Sequence, residues 1–104
     1  MTFTRDQRER WLSRLAYLEE NFPPGAPIRV HRRKIAGGHS GDCTRREDGS
    51  FYIRVCPTLP FHLAVDTLCH EWAHALTWDM PGPAHGKFWG LMYSDLYVEL
   101  IDQW

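Results

Sequence analysis

Near the start of the chain, apolar side chains recur at helical spacing: Trp11, Leu12, Leu15, Leu18 and Phe22. Intervals of three and four lay such residues along one side of an α-helix. Thr4-Arg5-Asp6-Gln7 precedes them and fits a capping box, with Thr4 as N-cap and the Gln7 side chain reaching back. Pro23-Pro24-Gly25 cannot continue a helix, so the pattern predicts one from about Arg5 to Glu20. From Pro27 to Ile35 the period falls to two. Ile28 and Val30 alternate with Arg29 and His31, which predicts a strand. Gly37-Gly38-His39-Ser40-Gly41 reads as a loop. Two more strands are expected at about Cys43 to Glu47 and Ser50 to Val55, joined by Asp48-Gly49, a strong hairpin signal.

Helical spacing returns after the break at Pro57 to Pro60. A helix is expected from near Phe61, with Leu63, Val65, Leu68, Ala75 and Leu76 turned towards the core, until Met80-Pro81-Gly82-Pro83 stops it. The last segment, about Ala84 to Gln103, carries Phe88, Trp89, Met92, Leu96, Leu100 and Ile101 at helical intervals. The order is helix, three short strands, helix, helix. That predicts an α+β fold with an antiparallel or mixed three-stranded sheet, as one domain over residues 1–104.

Composition narrows the class. Apolar residues make up 43% of the 104 and aromatics 13%, which places the chain among globular rather than disordered proteins. No uncharged apolar run approaches the ~18 residues that a membrane span needs. The stretch Met1 to Arg10 carries Arg5, Asp6, Arg8, Glu9 and Arg10, unlike a secretory signal. Cys43, Cys56 and Cys69 have no CxxC spacing, which argues against a disulfide framework and against a zinc ribbon. A cytoplasmic location is the expectation. Charge is uneven: residues 1–54 hold eleven Lys/Arg against seven Asp/Glu, and residues 55–104 hold one against six. The basic half would suit a polyanion and the acidic half a bound cation.

The chemistry sits in His70-Glu71-Trp72-Ala73-His74. Residues four apart on a helix project about 40° from each other, so the two histidines share a face and can reach one zinc ion. Glu71 is rotated about 100° from His70, beside the metal rather than on it, the place for a general base acting on water at the zinc. A di-iron reading of Glu71-x-x-His74 needs a second Glu-x-x-His, and the sequence has none. A catalytic zinc site takes three protein ligands. His85 is the best placed third ligand, following a Pro/Gly turn where the chain can fold back over the metal. Asp79, Asp95 and Glu99 are the other candidates.

The segment Thr67 to Leu76, followed by His85-Gly86-Lys87-Phe88-Trp89, resembles the SprT-like metallopeptidases, whose pattern is HExxH, a short excursion, then HG-x-x-F with the third zinc histidine. The likeness covers about residues 28 to 92 and implies a minimal zincin-like fold. It implies one catalytic zinc ion on His70, His74 and His85, with Glu71 as general base and a protein or peptide substrate. It further implies that the strand Phe51 to Val55 borders the cleft and pairs with extended substrate. Many such proteins carry a cysteine zinc ribbon or DNA-binding tails after the core; residues 93–104 show neither pattern, so DNA-linked proteolysis is the less expected activity.

Secondary candidates complete the reading. Tyr93, Tyr97, His39 or a backbone donor could stabilise an oxyanion. Asp66, four residues before His70, could orient its ring. Arg29, Arg32, Arg33, Lys34, Arg45, Arg46 and Arg54 with Phe51 and Tyr52 could form a basic face for DNA. Two alternatives to a general peptidase therefore stand: a non-catalytic zinc-binding module, and a protease activated by DNA.

Overall fold

The computed structural model describes residues 2–102 and 104. The first helix, α1, spans Arg5–Asn21. Its capping box is complete: Thr4 Oγ1 accepts from the Gln7 amide at 3.1 Å, and Gln7 Oε1 accepts from the Thr4 amide at 3.0 Å. Trp11 and Leu18 are buried and Leu15 partly so, but Leu12, expected in the core, is 57% exposed. The buried stripe is centred on Trp11, Leu15 and Leu18, and Leu12 lies about 100° away from Trp11. Arg14 occupies the core side in its place. Its Nε donates to the Leu100 carbonyl at 3.0 Å, and its guanidinium lies 5.3 Å from the centroid of the Phe61 ring.

Three strands follow: β1 (Ile28–Arg32), β2 (Gly41–Arg45) and β3 (Phe51–Val55). The sheet is mixed, in the order β1-β3-β2, with β1 parallel and β2 antiparallel to β3. β2 starts and ends two residues earlier than the alternation suggests. The Arg46 amide donates to the Ser50 carbonyl at 2.7 Å, so the hairpin loop is the three residues Glu47, Asp48 and Gly49. Gly49 takes the left-handed φ of 87° that closes such a loop. Alternation along β3 is regular, with Phe51, Ile53 and Val55 buried and Tyr52 and Arg54 on the outer face.

Helix α2 (Phe61–Leu76) covers the inner face of the sheet, and α3 (Lys87–Tyr97) packs against α2 before a π-helical turn at Val98–Asp102. Ala64, Val65, Leu68, Cys69 and Trp72 form the buried face of α2. Leu63, expected on it, is 48% exposed, since burial follows Ala64 and Leu68 four apart. Ile53, Leu68, Trp72, Leu96 and Leu100 have no exposed surface, and each such side chain stabilises the fold by roughly 1.5–3 kcal/mol. The last helix begins at Lys87 rather than Ala84. Pro81, Gly82 at φ 100° and Pro83 hold the preceding segment in turns, and the Gly86 amide donates to the Pro83 carbonyl. Its expected end at Gln103 lies outside the described residues. The result is a compact α+β domain, and among the described residues no helix is long and apolar enough to cross a membrane.

Candidate metal and catalytic site

The helix α2 brings His70, Glu71 and His74 to one place because its other side is anchored. Trp72 and Ala73, the two residues inside the motif, are fully buried. The Trp72 indole also donates to the Phe22 carbonyl at 2.9 Å, fixing the rotation of α2 against the end of α1. His70 and His74 then face the segment between α2 and α3, which delivers His85. The ring centroids lie 5.0 Å apart for His70 and His74, 5.1 Å for His70 and His85, and 4.7 Å for His74 and His85.

The three rings point their Nε2 atoms at a common point. His85 Nε2 is 3.1 Å from that of His74 and 3.2 Å from that of His70. One N–H cannot serve two acceptors well at those positions, whereas three lone pairs around a cation can share them. Tetrahedral zinc–nitrogen bonds of about 2.0–2.1 Å place ligand nitrogens roughly 3.3–3.4 Å apart, close to the observed separations. Burial, then the neighbouring His70 and His85, pushes His74 down to about 4; burial and His85 also lower His70. Both shifts favour the neutral ring, the form whose lone pair a metal ion takes. The donor set fits a zinc ion with an open fourth position. Among the described residues this is the one cluster of three or more His, Cys, Asp or Glu that could hold a metal.

Trp89, which the sequence places only in the apolar stripe of the last helix, supports the cluster directly. Its ring stacks on His74 at 5.4 Å and stands edge-on to His70 at 4.8 Å and His85 at 4.7 Å. Its Nε1 donates to the His70 carbonyl at 3.2 Å, tying α3 to α2 beneath the site. The signal lay in its position four residues after His85, one turn along the helix that follows the turn.

Glu71 is 7% exposed, and its Oε2 lies 3.9 Å from His70 Nε2. Burial, with a smaller contribution from Asp42, pushes its carboxyl up to about 7. It lines an open polar pocket with Ser40, Gly41, Asp66, Thr67, His70 and Tyr93. The wall opposite α2 depends on a glycine: a Cβ at Gly41 would lie 2.5 Å from Thr67 Cγ2, 3.0 Å from the Arg54 carbonyl and 3.3 Å from Glu71 Cγ. Gly41→Ala should therefore cost about 1–3 kcal/mol in a urea titration and displace Glu71. An unchanged midpoint would show that β2 can retreat from α2.

Other expectations change at this site. Asp66 does not orient His70; it accepts a hydrogen bond from the Tyr93 hydroxyl, whose pKa is raised by burial and by that bond. Of the three side chains named for an oxyanion, Tyr93 alone lines the pocket with Glu71, and its proton is committed to Asp66, while a backbone donor stays open. Asp79 instead pairs with Arg45 at 2.7 Å, Glu99 accepts from Tyr17 at 2.8 Å, and Asp95 is exposed on α3, so none of them joins the histidine cluster. β3 cannot pair with a substrate strand, because both of its edges are occupied by β1 and β2. Among the described residues, the strand that touches the site and has one unpaired edge is β2.

The basic face is divided. Arg32 turns in, donating to the Pro57 carbonyl at 2.8 Å with its guanidinium 3.4 Å from the Phe3 ring centroid. Arg54 pairs with Asp42, and Arg45 with Asp79. Arg29, Arg33 and Arg46 line an open groove beside Tyr52 and His31 on the outer face of the sheet. The chain matches no family model, no curated protein and no solved structure.

Proposed function

We propose that this chain is a zinc-dependent peptidase of the SprT-like, minimal zincin kind. The observation that carries the reading is the convergence of three imidazole Nε2 atoms beside a buried carboxylate that shares a helix with two of them. His70, His74 and His85 would hold the zinc. When bound, the ion supplies Lewis acidity, lowering the pKa of water and polarising a scissile carbonyl. Glu71 takes the proton of the attacking water and passes it to the leaving amine nitrogen. Its burial raises the pKa of the carboxylate to about 7, suited to taking and returning a proton, and Gly41 lets the edge of β2 approach it. An extended peptide adding to that edge would lie across the mouth of the polar pocket, with its backbone amides recognised by strand pairing.

A non-catalytic zinc module has less support. A purely structural site gains nothing from a carboxylate held 7% exposed with no hydrogen bond among the described residues, a costly placement for a charge. Activation by DNA rests on Arg29, Arg33, Arg46 and the exposed Lys34, since Arg32, Arg45 and Arg54 are engaged elsewhere. The test is incubation of the purified, zinc-loaded protein with an unfolded substrate such as casein, with and without a chelator. Chelator-sensitive cleavage is expected, with no requirement for added DNA. Tight zinc binding without cleavage would favour the module, and cleavage only with DNA would favour the DNA-activated reading.

A further inference from the structure

On the His74 side of the cluster, away from Glu71, lies a second and different pocket. It is walled by His74, Trp78, Met80, Pro83, Phe88 and Trp89, and no Asp, Glu, Lys or Arg lines it. Trp78, Met80 and Phe88 are among the large apolar side chains that stay exposed, at 42%, 51% and 43%. Three such groups around one concavity leave apolar surface in water that a ligand can cover. The pocket measures about 180 Å³. An apolar cavity of about 150 Å³ accepts a benzene ring, so the space suits one aromatic or large aliphatic side chain and little more. His74 belongs both to this wall and to the histidine cluster, which sets the occupant next to the reacting carbonyl.

We infer that this pocket is a specificity subsite, and that the protein cleaves peptides beside a bulky apolar residue, aromatic above all. The inference rests on the peptidase reading for the reaction, but not for the binding preference. Trp78, Phe88 and Trp89 line it with aromatic surface, and the exposed, unbranched Met80 can adapt to the side chain. The polar pocket at Glu71 stays free for the water and for the leaving nitrogen. The two pockets on either side of the histidines thus divide recognition from proton transfer.

The experiment uses the zinc-loaded Glu71→Gln protein and a set of blocked Ser/Gly peptides carrying one Phe, Leu, Ala or Glu. Binding is read by tryptophan fluorescence, and cleavage sites of the same peptides are mapped with the unsubstituted protein. The Phe peptide should bind about 10- to 100-fold more tightly than the Ala or Glu peptide. Phe88→Ala should shrink that ratio. Met80→Lys, at an exposed position, should move the preference towards the Glu peptide. Equal affinity for all four peptides, or a Phe preference untouched by both substitutions, overturns the subsite. Discrimination in binding without cleavage by the unsubstituted protein overturns the peptidase reading and leaves the subsite standing. Cleavage without preference does the reverse.

Discussion

Glu71→Gln is expected to lower peptide hydrolysis about 10²- to 10⁴-fold while zinc content stays unchanged. The amide fills the same volume beside Gly41 but cannot accept a proton from water and return it to the leaving nitrogen. Because the carboxylate is only 7% exposed, replacing it with a neutral group removes a desolvation cost. The variant should therefore be at least as stable as the parent. Rate, bound metal and thermal midpoint measured together separate a chemical role from a structural one. Undiminished activity would remove Glu71 from the mechanism. Lost activity with lost zinc would make the residue a support for the metal site instead.

The second large effect is on the metal. His85 is exposed and belongs to no helix; it reaches the cluster from a segment built of Pro81, Gly82 and Pro83. His85→Ala leaves two imidazoles, one short of a catalytic zinc site. Changing a mere supporting partner of a metal ligand costs 10–100-fold in affinity, so losing a ligand should weaken zinc binding by more than about 100-fold. Zinc at a hundred times its Kd should stabilise the parent by about 2.7 kcal/mol, and the same concentration should do far less for the variant. Isothermal titration with zinc and paired melts with and without it read both effects. An unchanged affinity would mean that the third ligand is not His85.

Much of the fold could be read from local pattern. The capping box at Thr4, the break at Pro23-Pro24-Gly25 and the alternation of Phe51, Ile53 and Val55 are rules of backbone geometry, and each appears where the residues place it. Misplacements arose where neighbours decide. Leu12 and Leu63 fit a helical stripe on paper, but the stripe's axis is set by what packs against it. Arg14 is polar by type, yet a carbonyl at Leu100 and the Phe61 ring make the core acceptable to it. Neither partner is visible within a helical window of sequence.

The site divides along the same line. His70, Glu71 and His74 share a helix, so their relation to one another was determined by the sequence alone: 3.6 residues per turn puts the histidines on one face and the carboxylate beside them. Everything that crosses between elements was decided only by the tertiary structure. The approach of His85 depends on the turns of the preceding segment. The close passage of β2 depends on Gly41, and the engagement of Asp66 depends on Tyr93 rather than His70. Strand order moved the exposed edge beside the site from β3 to β2. The physical reason is range: hydrogen-bond geometry along one helix is local, whereas packing and strand pairing join residues that the sequence leaves far apart.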